Sequence, residues 1–178
     1  MKTKNIKLAV AAFTILFASA FTVIQSVNWK LKEDAYTVSF KGPKVDGVIK
    51  GLKTSIVFDE ANPEKSKITA TMDANTVNTG NGMKNKHAKA EDALNAAQFP
   101  EIKFESTSVS GKVGNYTAVG KLTIKGVTKE INLPFTFENK GAEAVFKGKF
   151  SIVTKDYNIT KKGTPDVLEI DLNVPVTK

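Results

Sequence analysis

The chain has 178 residues, of which 41% are hydrophobic and 25% charged, a composition that fits one globular domain behind a short targeting segment. The formal net charge is +8, and every basic residue is lysine. Arginine supplies the planar fork that reads guanine and phosphate, so its absence argues against nucleic acid as a partner. The absence of cysteine excludes disulfides and a lipid-modified N-terminal cysteine.

The N-terminus has the pattern of a signal peptide. Three lysines within the first seven residues precede an apolar run that ends in Ala18-Ser19-Ala20, the small-x-small pattern of a cleavage site. We expect residues 1–20 to be a signal peptide and residues 21–178 to be the mature domain, periplasmic or secreted. An uncleaved membrane anchor is the alternative, because Phe21, Val23 and Ile24 extend the apolar run.

The mature chain alternates apolar and polar residues in short segments rich in Val, Ile, Thr and Phe, which indicates β-strands with one dry face. The predicted strands are 29–31 with 36–40, 45–58, 67–75, 102–110, 115–124, 128–138, 144–154 and 167–174. About eight antiparallel strands are enough to close a barrel that can hold one small ligand. The sequence therefore predicts an all-β fold with a short helical insertion.

That insertion is the segment 78–100, which is rich in alanine and poor in β-branched residues. One long helix would place lysines early and acids late, against the helix dipole. We therefore predict two short helical turns, one around His87 and a second that Glu91 and Asp92 open. Pro100 then favours an extended backbone at Phe99 and leads into the next strand.

Candidate chemistry is sparse. His87 is the only histidine, so the spacing indicates no metal site, and no Gly-x-Ser-x-Gly nucleophile elbow is present. We expect His87 to be buried against a backbone carbonyl, with a role at a ligand headgroup as the alternative, and its segment to act as a lid or plug. The sequence predicts no catalytic residue, no metal and no cofactor.

Three stretches together resemble the YceI-like, polyisoprenoid-binding domain family. They are "SIVFDEANPEKSKITATMDANTVNTG" at 55–80, "KNKHAKAEDALNAAQFPEIKFEST" at 84–107 and "GNYTAVGKLTIKGVTKEINLPFTFE" at 114–138. The resemblance covers the chain from about Trp29 to the C-terminus. It implies a lipocalin-like antiparallel barrel, exported to the periplasm, that holds an isoprenoid or another long apolar lipid without chemistry.

On this interpretation the inward faces of the strands and the His87 segment bind the lipid. The candidate ligand-binding residues are Phe40, Val48, Leu52, Ile56, Met72, His87, Leu94, Phe104, Ala118, Leu122, Phe135, Phe137, Phe146, Phe150 and Leu172. The alternative is a barrel packed solid by its own phenylalanines, acting as a structural or stress-protective interaction module through a lysine-rich exterior. A weak contact with a membrane surface and a homodimer are left open.

The chain departs from the family pattern at two places. Ala88 and Ala93 stand where the family usually carries bulky apolar residues, which could widen the mouth or loosen the lid. The family's Arg-x-Asp-Phe-Gly becomes a segment that runs from Thr154 to Asn158, so the contact that the arginine makes is in doubt. Asn158 in place of glycine still permits a left-handed backbone.

Overall fold

The computed structural model describes residues 27–178, so the predicted signal peptide lies outside the described residues. Ten strand segments and one α-helix make up most of this part. The strands are β1 (Val27–Leu31), β2 (Thr37–Gly42), β3 (Val45–Val48), β4 (Lys53–Phe58), β5 (Lys67–Asp73), β6 (Glu101–Lys112), β7 (Asn115–Ile124), β8 (Val127–Lys140), β9 (Glu143–Val153) and β10 (Val167–Thr177), and the helix is α1 (Gly82–Lys89). Within residues 27–178, no helix combines the length and hydrophobicity needed to cross a membrane.

The strands close into an antiparallel barrel with eight positions. β4 to β10 are hydrogen-bonded in sheet order with β1 beside β4, and β1 also pairs with β10, which closes the ring. β2 continues along the same edge of β10 after β1, and β3 pairs with β2. The predicted all-β, lipocalin-like barrel of about eight strands with a short helical insertion is confirmed.

The prediction of one continuous strand over residues 45–58 is wrong, because residues 49–52 interrupt it. β3 ends at Val48, and β4 begins only at Lys53. Gly51 has a φ of 72°, a left-handed conformation that ends strand geometry. The Tyr36 hydroxyl accepts a hydrogen bond from the backbone N–H of Leu52 at 3.1 Å, which fixes the interruption against the turn between β1 and β2.

Only the first of the two predicted helical turns becomes a helix. The Asn81 side chain caps α1 by accepting a hydrogen bond from the N–H of Lys84 at 3.0 Å. The second segment makes hydrogen-bonded turns without a helix, in the first of which the Ala93 N–H donates to the Ala90 carbonyl. Asn95, with a φ of 47°, then turns the chain away.

Aromatic rings fill one end of the barrel. Phe58 is almost fully buried, with its ring centroid 4.7 Å from that of Phe137 and 5.0 Å from that of Tyr116. Trp29 meets Phe137 edge to face at 5.3 Å and donates from its indole nitrogen to the Phe58 carbonyl. Each such pair adds about 0.5–1.5 kcal/mol to stability beyond the burial of its area. The rings therefore both fill and stabilise this end of the barrel.

The β7–β8 hairpin turns through Lys125 and Gly126, whose φ angles are 50° and 74°. Two successive positive φ angles define the turn that matches the twist of a two-residue hairpin. A Cβ added at Gly126 would lie 2.7 Å from a ring carbon of Phe99. Glycine is therefore required here by both the backbone angle and the ring beside it.

We expect Gly126→Ala to lower the free energy of unfolding by about 1–3 kcal/mol, because alanine is strained at this angle. Gly141→Ala is the matched control, since Gly141 has a φ of 84° with nothing within 4 Å of the added Cβ. Denaturant unfolding should show a larger loss for Gly126→Ala, because the Phe99 ring must move. Equal losses in the two variants would contradict the proposed contact.

Candidate functional site

The barrel encloses a cavity of about 400 Å³ above the aromatic end. Its wall is made by inward side chains of the strands, among them Ile56, Met72, Leu122, Leu133 and Leu172. Successive residues of a strand point to opposite faces, so each strand contributes every second side chain to the wall. The wall is consequently almost entirely hydrocarbon.

Phenylalanine rings form the floor of the cavity. Phe135 and Phe146 line the cavity and also pack in the aromatic cluster, 5.8 Å and 5.4 Å from the Phe58 ring centroid. Phe58 itself lies beneath them and does not reach the cavity. The cavity is therefore closed at one end by a rigid layer of rings.

Three segments surround the other end, which we call the mouth: the turn between β2 and β3, helix α1, and the loop 159–165. The loop is tied to the segment after α1 because the N–H groups of Thr160 and Lys161 both donate to the Asp92 carbonyl, at 2.9 and 2.8 Å. The Lys161 ammonium also lies 3.0 Å from the Asp92 carboxylate. These bonds fix the loop beside α1.

Thr154 holds the other side of the same loop. Its buried hydroxyl donates to the Pro165 carbonyl at 2.8 Å, and its N–H donates to the Asp166 carbonyl. Asn158 has a φ of 54°, a left-handed backbone of the kind that asparagine permits. Thr154 therefore helps to shape the loop that borders the mouth.

Among residues 27–178, the charged residues that line the cavity or its mouth are all lysines: Lys44, Lys84, Lys103, Lys161 and Lys162. None of the lining residues in this part of the chain is an Asp or a Glu. Two of these lysines have acidic partners, since Lys161 pairs with Asp92 and Lys103 with Glu101 at 2.8 Å. The electrostatic character of the mouth is therefore positive, in contrast to the uncharged wall below it.

Polar groups within the wall are few. The hydroxyl oxygen of Thr54 is buried, and it has no hydrogen-bond partner among residues 27–178. Within the same residues, no group of three or more His, Cys, Asp or Glu side chains is placed to hold a metal ion. The arrangement offers apolar contact along the wall and positive charge at the mouth.

The structure brings most of the predicted ligand-binding residues to this one cavity. Those that line it are Phe40, Leu52, Ile56, Met72, His87, Leu94, Phe104, Ala118, Leu122, Phe135, Phe146, Phe150 and Leu172. Val48 does not line it, because the interruption after β3 changes the alternation and places Ile49 there instead. Phe137 does not line it either, since its ring packs under the floor against Trp29 and Phe58.

The expectation that His87 is buried is wrong. α1 has no buried residue, and His87 is exposed where the helix borders the mouth. Its backbone carbonyl accepts a hydrogen bond from the N–H of Ala90 at the end of the helix. His87 and Ala88 therefore face the opening from one side, while Ala93 lies buried beneath them.

Sequence reasoning missed the residues that the loop 159–165 contributes, notably Ile159, Lys161, Lys162 and Pro165. A loop has no periodicity that would separate an inward from an outward side chain. The only signal was "KKGTP" at 161–165, in which two lysines stand next to glycine and proline. That pattern predicts a turn, but it does not say what the turn borders.

Comparison with known proteins places the chain in a family. The sequence profile of the YceI-like domain matches residues 29–177. "Protein YceI" of Salmonella newport is 31% identical over 156 residues, which are 84% of this chain and 78% of that protein.

Two solved structures share the fold. BcnA of Burkholderia cenocepacia superimposes with a TM-score of 0.77 at 24% identity, over 83% of this chain and all of that one. A polyisoprenoid binding domain from Saccharophagus degradans superimposes with a TM-score of 0.64 at 13% identity, over 86% of this chain and 99% of that one. With the profile matching nearly the whole barrel and the same architecture around the cavity, this chain belongs to the YceI-like domain family.

Proposed function

We propose that the protein is a binding protein that holds one isoprenoid or other long apolar lipid chain inside the barrel, without chemistry. The observation that carries the proposal is the cavity of about 400 Å³ with its hydrocarbon wall. Its volume falls at the lower end of small-molecule sites, roughly 300–1,000 Å³, which suits one chain rather than two. Burial of apolar surface contributes about 25 cal/mol per Å², so a chain is held without a strong polar anchor.

The likeness to the polyisoprenoid binding domain of Saccharophagus degradans supports the same proposal. The alternative from the sequence, a solid barrel working through its exterior, requires the phenylalanines to fill the interior. Phe58 and Phe137 do pack beneath the floor, but Phe40, Phe104 and Phe150 line the empty cavity. The cavity therefore favours the lipid-binding alternative.

The proposal includes export to the periplasm or the cell exterior, where the protein would act as a carrier or store. Carboxylate pairs that could suggest acid–base chemistry, such as Asp59 with Glu60 and Glu169 with Asp171, do not line the cavity. Contact with a membrane surface and a homodimer stay predictions.

We expect Ala118→Trp to abolish lipid binding. Ala118 is buried in β7 and lines the cavity, so an indole at this position would occupy the space of the chain. Delipidated protein should be offered a quinone, a polyprenyl phosphate and a fatty amide, and each complex should be measured by native mass spectrometry. The same measurement on gently purified protein, followed by organic extraction, identifies any lipid already bound.

Lys121→Trp is the matched control, because Lys121 lies on the same strand with its side chain exposed. If Ala118→Trp fails to fold, Leu133→Phe reduces the same cavity with a smaller change in volume. Protein that is consistently empty and takes up none of the three lipids would refute the cavity as a binding site and favour the solid-barrel role.

Phe146→Leu should shift the preference toward longer chains, because this ring forms part of the floor and its loss deepens the cavity. Phe137→Leu is the control, since Phe137 belongs to the same cluster but does not line the cavity. Both variants should lose about 1–3 kcal/mol of stability as buried ring contacts disappear. Competition between lipids of different length should change only in Phe146→Leu; an equal change in both variants would contradict the floor assignment.

Export predicts a mature chain that begins near Phe21. The intact mass of the protein from the producing cell should be lower by the mass of residues 1–20, and the protein should be released with the periplasmic or extracellular fraction. A full-length chain in the membrane fraction would support the anchor alternative instead.

A further inference from the structure

We propose that the mouth binds the anionic headgroup of the lipid, and that Lys44, Lys84 and Lys162 supply the charge. This inference rests on the proposed lipid-binding function and names the ligand class: one apolar chain that ends in a carboxylate or phosphate. A neutral lipid with the same chain would gain the contacts of the wall but not those of the mouth.

The first step is the placement of the three lysines. Lys44 lies in the turn between β2 and β3, and Lys84 comes from the first half of α1. The Lys84 ammonium donates to the Lys44 carbonyl at 3.3 Å, so the helix and the turn meet at one side of the mouth. Lys162 approaches from the loop 159–165, a third segment of chain. An anion at the opening would have cationic side chains from all three segments around it.

The second step is the charge balance at the mouth. Lys161 is paired with Asp92 and Lys103 with Glu101, so these two lysines already have acidic partners. Lys44, Lys84 and Lys162 form no salt bridge with any carboxylate of residues 27–178. Three lysines that border the opening are thus without an acidic partner among the described residues.

Neighbouring acids do not change this balance. Asp46 follows Lys44 by two residues, but it does not line the cavity. Lysines without an acidic partner also lie elsewhere on the surface, among them Lys30, Lys112 and Lys140. The distinguishing feature of Lys44, Lys84 and Lys162 is therefore their position, since all three line the same opening.

The third step is the division between wall and mouth. A charged headgroup inside the hydrocarbon wall would lose its hydration without gaining a partner, at a cost of several kcal/mol. The headgroup of an inserted lipid therefore stays at the mouth, where the three lysines lie. Like charges that border one opening repel each other, and an anion bound there reduces that repulsion.

The test compares ligands that share a chain and differ in headgroup. Hexadecanoic acid is paired with hexadecanol, and farnesyl phosphate with farnesol, so that one pair tests a carboxylate and the other a phosphate. Affinities are measured on the delipidated full barrel by displacement of the neutral probe N-phenyl-1-naphthylamine, at neutral pH and at low and high salt. Inorganic phosphate alone serves as a competitor that carries the charge without a chain.

We expect the anionic member of at least one pair to bind about tenfold more tightly than its alcohol, because three exposed charge contacts each contribute modestly. High salt should reduce this ratio, since exposed charges are screened. Inorganic phosphate should not displace the probe, because chain burial supplies most of the affinity. The pair that shows the preference identifies the headgroup as carboxylate or phosphate.

The triple variant Lys44→Gln/Lys84→Gln/Lys162→Gln should bring the ratio close to one while the alcohols bind as before. Its control is Lys30→Gln/Lys112→Gln/Lys140→Gln, which removes the same charge from exposed lysines outside the cavity lining and leaves the ratio intact.

The remaining outcomes would contradict either the headgroup site or the proposed function. Equal affinity for acid and alcohol, or loss of the ratio in both triple variants, would overturn the headgroup site and leave lipid binding in place. Failure of all four ligands to bind the unmodified protein would refute the proposed function itself.

Discussion

Closure of the sheet is the constraint on which the rest of this structure depends. β1 reaches β10 through only two residue pairs, Lys30 with Thr177 and Leu31 with Val176, yet these complete the ring of eight strand positions. Once the ring is closed, its width is fixed by strand number and tilt, and side chains alone decide how much of the interior is filled. The aromatic cluster fills one end of the barrel interior. The side chains at the other end leave a cavity.

The aromatic cluster therefore does two things at once. It supplies the densest packing of the barrel, with Phe58 in contact with four other rings, and it sets the depth of the cavity. Without disulfides, the barrel must obtain its stability from packing of this kind. The cavity itself supplies no packing contacts and adds nothing to stability. The close packing of the aromatic cluster must therefore compensate for the unfilled part of the interior.

Much of this could be predicted from the sequence, because the alternation of two along a strand directly encodes which side chains point inward. Ile56, Phe104, Ala118 and Leu172 were placed correctly on that basis alone. Val48 failed because a left-handed glycine, Gly51, interrupts the strand and resets the alternation. Phe137 obeyed the alternation, but depth along the barrel axis is a property of the closed ring and not of one strand.

The mouth could not be predicted because it is assembled from three segments far apart in the chain. Lys44 and Lys162 are separated by more than a hundred residues, and neither belongs to a periodic pattern. His87 was misplaced for a related reason: a helix of eight residues without a buried face can lie across an opening and leave its side chains exposed. Their proximity follows from where the turns at one end of the barrel come together.

The apolar wall and the positively charged mouth are expected to contribute differently to binding. The wall supplies affinity in proportion to the area that a chain buries, and it discriminates weakly between chains of similar width. The three unpaired lysines supply little affinity in water, but they favour one sign of charge at the opening. Asp92 and Thr154 fix the loop that carries Lys162 beside α1, so this segment of the mouth has its position without a ligand. If the proposed function and headgroup site are correct, such a pocket would select the chain by depth and the headgroup by charge.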